Sequence, residues 1–200
     1  MNTNVKLSQT ELALVTNADI ILTKNEIINK VVQLFGSVCE ACKTHVNKTH
    51  NNLPEEVKII SPKIYKGEKY LQLPYVMMDY PRFYTKQHVL AIRFFFWWGN
   101  FFSISLHLAG KYQTKYLPQI FNEVKKINAE NWYLYTADET WKYDFLMNDY
   151  MQLFKIDSLL QTEIYKRQFI LLSKKVPLEL WDEAYDFFTE NFIELLQLFS

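Results

Sequence analysis

The stretch Val89-Leu-Ala-Ile-Arg-Phe-Phe-Phe-Trp-Trp-Gly-Asn-Phe-Phe-Ser-Ile-Ser-Leu-His-Leu-Ala-Gly110 decides how this chain folds. It is the most apolar and most aromatic run of the sequence and lies near its middle. Its length invites comparison with a membrane helix, which needs about 20 apolar residues. Three details oppose that. Arg93 lies inside the run, where a charge is costly in lipid. Ser103, Ser105 and His107 fall in its second half. Gly99-Asn100 separates two apolar halves, as a two-residue hairpin turn does. Phe, Trp, Ile and Val on both sides suit a pleated surface. The pattern predicts a β-hairpin with strands at about 89–98 and 101–109, the competing arrangement being a buried helix.

A two-residue loop fixes a register. Trp98 then pairs with Phe101, Phe94 with Ser105, Arg93 with Leu106 and Ile92 with His107. Alternation places Arg93 on one face with Phe95, Trp97, Ile104 and Leu106, and puts Ser103, Ser105 and His107 on the other. Both faces are largely apolar, so the hairpin is expected to be covered on both sides and central in its sheet.

A chain of 200 residues suits one domain. The 22 Lys plus Arg balance 22 Asp plus Glu. No basic field exists to gather nucleic acid or anionic lipid. The first 25 residues lack the charged, apolar and small-residue succession of a secretory signal. Two cysteines without such a signal suggest reduced thiols and a cytoplasmic protein. Ser8-Gln-Thr-Glu11 and Thr23-Lys-Asn-Glu26 are capping boxes, predicting a short helix to about Thr16 and a longer one to about Val46. Ile28, Val31, Phe35, Val38 and Cys42 form the buried stripe of the second. Residues 47–54 read as a loop.

Strands are expected from about Val57, at Lys63–Tyr65 and at Tyr70–Tyr80, with Pro74 marking an edge or a bulge. A loop from Asp79 then leads to the hairpin. A helix is expected over Lys115–Asn128, with Pro118 in its first turn. A short strand follows at Trp132–Tyr135, helical turns capped by Ser158, and a strand at Gln168–Ser173. The last helix starts at Pro177. Leu178, Trp181, Tyr185, Phe188, Phe192, Leu195 and Phe199 form its seam, and Glu179, Asp182, Glu183, Asp186, Glu190 and Glu194 its outer face. That face is a solvated surface or a dock for a basic partner. The expected fold is therefore α+β, a single domain over 1–200. It has a helical part at 8–46, a sheet-rich part at 57–175 and an amphipathic helix at 177–199, with the helices packed on a mainly antiparallel sheet.

Leu73-Pro-Tyr-Val-Met-Met-Asp-Tyr-Pro-Arg82, with Ala91-Ile-Arg93 and the run from Trp97 to Gly110, resembles an uncharacterised family of bacterial proteins. The similarity is strongest over residues 61–110. The resemblance implies a bacterial, cytoplasmic protein of unknown function. It implies no activity, cofactor or catalytic residue.

Candidate chemistry is sparse. Cys39-Glu-Ala-Cys42 is a C-x-x-C placed late in a helix, away from the N-terminal amides that lower a thiol pKa. With His45, and His50 at a stretch, it approaches a zinc ligand set but lacks a second cysteine pair. Packing is the simpler role, and no metal or cofactor is expected. Ser103 or Ser105 with His107 has the residue types of a nucleophile and its base. Alternate residues on a strand lie about 7 Å apart, too far for a direct bond without help from rotamers. No phosphate-cradling glycine loop, nucleophile elbow or H-E-x-x-H occurs. The loop Thr136–Asp144 mixes carboxylates with aromatics and either rims a pocket or packs its Trp141 on the core.

Arg93 needs an anion if its face is covered, because an unpaired buried charge costs several kcal/mol, roughly. Three environments are open to it: a pair with Asp79, a ligand carboxylate or phosphate, and water at the sheet end. Three function classes follow. The first is a non-catalytic soluble binding module for a small molecule or a protein, with Arg93, Asp79, Ser103, Ser105 and His107 as candidate binding residues. The second is a hydrolase-like enzyme using His107 with Ser103, Ser105 or a carboxylate. The third is a metal protein through Cys39 and Cys42. Nucleic acid and membrane are not expected as partners.

Overall fold

The computed structural model describes residues 5–48, 53–123, 131–138, 142–145 and 149–199. Among these, seven strands form one antiparallel sheet: β1 (Lys63–Tyr70), β2 (Leu73–Tyr84), β3 (Val89–Trp97), β4 (Phe101–Ala109), β5 (Tyr133–Tyr135), β6 (Tyr150–Gln152) and β7 (Phe169–Pro177). Their order is β1-β2-β3-β4-β7-β5-β6, so the aromatic hairpin β3–β4 occupies the centre. Six described helices accompany the sheet: α1 (Gln9–Val15), α2 (Ala18–Lys48), α3 (Glu55–Lys58), α4 (Lys111–Glu123), α5 (Ser158–Tyr165) and α6 (Ala184–Gln197). The fold is α+β, and no described helix is long and apolar enough to cross a membrane.

The hairpin turn is one residue longer than its Gly-Asn pair predicts. Trp97 pairs with Phe101, leaving Trp98, Gly99 and Asn100 in the loop, so the first strand ends at Trp97. The Asn100 N–H donates to the Trp97 carbonyl at 3.1 Å, and Gly99 takes a φ of 69° that favours glycine. The Trp98 N–H turns to the Pro74 carbonyl at 3.0 Å. That long-range bond to β2 competes with the two-residue closure. A one-residue slip moves every β4 side chain to the opposite face. The predicted partners are therefore corrected: Arg93 pairs with Ser105 and Ala91 with His107. Ser103, Ser105 and His107 share the face of Arg93, while Phe102, Ile104, Leu106 and Leu108 share that of Phe94 and Phe96.

On the second face, α2, α4 and α6 cover the sheet. Val31, Phe35, Val38 and Cys42 of α2 join Tyr116, Leu117 and Ile120 of α4 and Phe188, Phe192 and Leu195 of α6 in one apolar core with Phe94, Phe96, Phe102 and Leu106. Phe188 sits at its centre, with ring centroids 5.4 Å from Phe35, 5.5 Å from Phe94 and 5.7 Å from Phe102. Such edge-to-face pairs add about 0.5–1.5 kcal/mol beyond burial of their area.

Several boundaries differ from expectation for local reasons. The Ser8–Glu11 capping box is formed, but Thr23 lies inside α2, whose start is capped by Asn17 Oδ1 accepting from the Asp19 N–H at 3.0 Å. Val57 belongs to a helical turn, so the sheet begins at Lys63. α4 starts at Lys111, which places Pro118 inside the helix and not in its first turn; residues 124–128 lie outside those described. Asp157, not Ser158, caps α5 and accepts from the Leu160 N–H at 2.8 Å. The final seam begins as a 3-10 stretch, Leu178–Glu183, with Leu180 off the helical conformation, and α6 starts only at Ala184. That kink turns Tyr185 outward, 41% exposed. Glu194 turns toward Lys174, its carboxylate 3.6 Å away.

β2 is interior and does not end at Asp79. It runs on to Tyr84 through a bulge between Asp79 and Arg82, where the Tyr80–Pro81 bond is cis. Pro81 brings no N–H and sits where the ladder is already interrupted. The extra residue leaves Asp79 opposite Arg93 and Tyr84 opposite Val89, both on the first face.

Candidate functional site

Asp79 and Arg93 are direct cross-strand neighbours. Arg93 Nε donates to Asp79 Oδ1 at 2.7 Å and Nη2 donates to Oδ2 at 2.8 Å, a two-bond carboxylate–guanidinium clasp. The Tyr84 hydroxyl donates to Asp79 Oδ2 at 2.9 Å. The Tyr143 ring lies over the guanidinium, 4.7 Å from its carbon. Asp79 and Arg93 are 2% and 8% exposed, so the pair is out of water. Burial works against the Arg93 charge, but the Asp79 hydrogen bonds and nearby phenols more than offset it and hold the proton more firmly than usual. Burial, with Asp79 beside it, pushes the Tyr84 phenol well up.

The lid over this pair is set by long-range contacts. Tyr70, at the end of β1, accepts from the Tyr143 N–H at 2.7 Å through its hydroxyl. Its carbonyl accepts from Trp97 Nε1 at 3.2 Å. Tyr70 packs edge-on against Phe95 and Trp97, with centroids 5.4 and 5.3 Å away. Burial raises the Tyr70 phenol to about 12, so it stays protonated at neutral pH. Phe95, Trp97, Phe101, Tyr135, Tyr143, Phe169 and Leu171 form a second, smaller core on this face.

Farther along β4 lie the polar candidates. Ser103 is buried between Phe95 and Lys175 in the ladder, and its hydroxyl meets no hydrogen-bond partner among the described residues. Ser105 lies opposite Ser173 of β7, whose hydroxyl donates to Ser105 Oγ at 2.8 Å. His107 comes next, buried, with the Phe169 ring tilted against it at 5.5 Å. Burial and the nearby Arg93 charge lower its pKa to about 4, Asp79 only partly opposing them. The imidazole is neutral at pH 7.

His107 lines a cleft of about 500 Å³ at this end of the sheet, with Val89, Ala109, Gly110, Phe169, Gln168 and the 85–87 turn. The turn is held by the Thr85 N–H donating to the His88 carbonyl at 2.9 Å and by the His88 N–H donating to Thr85 Oγ1 at 2.9 Å. Gly110 lets the turn approach. It has a φ of 59°, and a Cβ there would lie 2.2 Å from the Gln87 carbonyl oxygen. Next to this cleft, Ala137, Asp138, Glu163, Lys166 and Arg167 border a charged one of about 450 Å³ that shares Gln168 and Phe169. The Arg167 guanidinium donates to the Ala137 carbonyl at 3.0 Å, which ties the 136–138 segment to that rim. Tyr143 packs over Arg93, while Trp141 lies outside the described residues.

The arrangement brings Asp79, Arg93, Ser103, Ser105 and His107 to one sheet face, but not into one reactive cluster. Asp79 closes the guanidinium, so Arg93 offers no free fork to a ligand anion. Ser105 already receives the Ser173 hydroxyl. A histidine with a pKa near 4 is a weak base at neutral pH. Cys39 and Cys42 are both buried in the helix-side core, and burial raises both thiols. Among the described residues no three His, Cys, Asp or Glu side chains group to hold a metal ion, and His50 lies outside them. The expected outer acids Glu179, Asp182, Glu183, Asp186 and Glu190 are exposed.

Sequence reasoning missed Tyr84, Tyr143, Phe169 and Gly110. Gly110 carried a usable signal, since a glycine directly after a strand marks a close approach. Tyr84 did not, because simple alternation from Asp79 puts it on the opposite face and only the bulge brings it back. Tyr143 reaches Arg93 from a distant irregular segment and carried none. Comparison of the chain with protein-family models, with curated proteins and with solved structures found no match.

Proposed function

We propose that this protein is a non-catalytic, cytoplasmic binding module, and that its ligand is a small uncharged molecule held in the cleft above His107. The observation that carries this reading is a buried histidine, neutral at pH 7, in the wall of an otherwise mostly apolar cleft of about 500 Å³. A neutral imidazole provides one donor and one acceptor, and so orients a single polar group of a ligand. Phe169, Val89 and Ala109 suit an aromatic or alkyl body. A few polar groups in an apolar cleft of this size are the usual make-up of small-molecule sites. The closed Arg93–Asp79 pair argues against an anionic ligand at depth, and the engaged Ser105 hydroxyl against acyl transfer.

The test is a fragment screen on isotope-labelled protein, read by amide and imidazole chemical shifts. Neutral aromatic fragments are expected to shift His107, Ala109, Gly110 and Phe169 together. Ala109→Trp, which fills the cleft, is expected to abolish those shifts while keeping the fold. Shifts that cluster elsewhere, or that survive Ala109→Trp, contradict the reading.

A further inference from the structure

A second cleft, of about 410 Å³, opens at the hairpin-turn end of the sheet, at the other end of β4 from His107. Asn100, Phe101, Asn131, Tyr133, Lys175 and Phe187 are among its walls, and no Asp or Glu is. Its two lysines differ. Lys174 turns to the helix side, where its ammonium meets Asn191 and, at 3.6 Å, the Glu194 carboxylate. Lys175 turns to the loop side and sits over two rings, 5.2 Å from the Phe101 centroid and 4.8 Å from that of Phe145. Among the described residues no carboxylate pairs with it. Burial lowers its pKa, and no neighbouring charge opposes that.

The backbone of Lys175 is open as well. The Trp97 carbonyl accepts from Asn100 and the Trp98 N–H donates to Pro74 of β2, so Trp97 faces β4. Alternation through the unbroken ladders then turns Phe102 and Val176 toward each other, and Ser173, Lys175 and Pro177 away from β4. On that outer side β5 meets Ser173 through Tyr133 and goes no further along β7. The Lys175 N–H and carbonyl are thus left at a strand edge that lines the cleft. Above it, Phe145 is held at a φ of 52°, a conformation costly for a bulky side chain. Its ring stacks on Tyr150 at 4.2 Å and stands edge-on to Phe101 at 5.4 Å and to Tyr133 at 5.9 Å.

We infer that this cleft is a second ligand site, and that it takes a small carboxylate with a flat apolar body. One ammonium and one amide N–H border it, which suits the two oxygens of a single carboxylate. Phe101, Tyr133 and Phe187 supply apolar walls for the body. A phosphate is ordinarily met by several amides or a guanidinium, and neither lines the cleft. An added peptide strand is disfavoured too. Beyond Ser173 the outer edge of β7 offers the Lys175 N–H alone, since Pro177 has none. The absence of acids from the walls sets this site apart from the charge-balanced one beside Arg167, and its free ammonium sets it apart from the His107 cleft.

Titration of the labelled full chain with 2-naphthoate, 2-naphthamide, 2-naphthyl phosphate and acetate, followed by NMR, tests this. 2-Naphthoate is expected to shift the Lys175 amide, the Lys175 side chain and the Phe101 amide together. 2-Naphthamide, of the same shape without the charge, is expected to bind at least about five-fold more weakly, and acetate to give no shift at the same concentration. Lys175→Met is expected to bring naphthoate down to the level of naphthamide while leaving the amide spectrum otherwise unchanged. Lys175→Gln gives the same reading should the first variant not fold. Equal binding of naphthoate and naphthamide to the wild type overturns the inference. So does naphthoate binding that survives both variants, and so do naphthoate shifts that gather at His107. Tighter binding of 2-naphthyl phosphate than of 2-naphthoate overturns the ligand class.

Discussion

The two faces of the central hairpin are built from one alternating sequence and are held in different ways. On the helix side, Phe94, Phe96, Phe102, Ile104 and Leu106 join one apolar cluster with α2, α4 and α6, and the Lys174 ammonium reaches Asn191 and Glu194 of α6 at its margin. Such a layer asks for volume and hydrophobicity, and little else. On the loop side, Arg93, Ser103, Ser105 and His107 alternate with the same residues and lie under Tyr143 and Phe169. That layer works only if particular atoms meet. The central strands thus carry mainly generic cohesion on one side and specified polar geometry on the other, where the His107 cleft opens.

The largest expected effect uses the same incoming residue on both faces. Arg93→Met strands a buried Asp79 and is expected to cost about 3–5 kcal/mol of stability. Leu106→Met on the helix side conserves volume and is expected to cost less than about 1.5 kcal/mol. Adding Asp79→Asn to Arg93→Met is expected to lose little more, because the stranded charge is gone; denaturant melts of the four proteins in a double-mutant cycle read this coupling. Equal losses for Arg93→Met and Leu106→Met would erase the difference between the faces.

Acid sensitivity comes next. The folded-state pKa of His107 is about 4, below its ordinary 6.5, so the unfolded chain binds the proton first as pH falls. The contribution of His107 is whole above about pH 6.5 and declines as pH drops toward 4, with a full loss on the order of 3 kcal/mol. His107→Gln is expected to remove that part of the acid sensitivity, as measured by melts between pH 4 and 7. No helix-side residue is expected to do so.

The smallest effects compare two glycines. Gly110 meets the Gln87 carbonyl at left-handed φ, and Gly110→Ala is expected to destabilise by about 1–3 kcal/mol. Gly36, in α2, has nothing within 4 Å of an added Cβ, and Gly36→Ala is expected to stabilise by about 0.5–1 kcal/mol. Opposite signs in thermal melts would sharpen the contrast between the regular layer and the fitted one.

The helix side was largely legible in the sequence because it obeys periodicity alone. The stripe Ile28, Val31, Phe35, Val38 and Cys42 is buried as its spacing requires. The loop side was legible in composition and illegible in register. A Gly-Asn pair points to a two-residue loop, but the Trp98 amide finds the Pro74 carbonyl across the sheet, and a contact that distant leaves no mark near the turn. The two-residue register sets Arg93 and His107 on opposite faces, whereas the three-residue turn puts them on one. The need of Arg93 for an anion was readable from burial cost, and Asp79 meets it. The extension of β2 to Tyr84 was hidden by Pro81, since the bulge that absorbs the proline depends on both neighbouring strands.

The polar face closes its Arg93–Asp79 charges internally and leaves a neutral histidine in the cleft wall. A pH titration of the His107 ring nitrogens by NMR is the decisive measurement. The imidazole is expected to stay unprotonated from pH 8 down to about 5, with its inflection near pH 4. An inflection near 6.5, as for a solvated histidine, would contradict it.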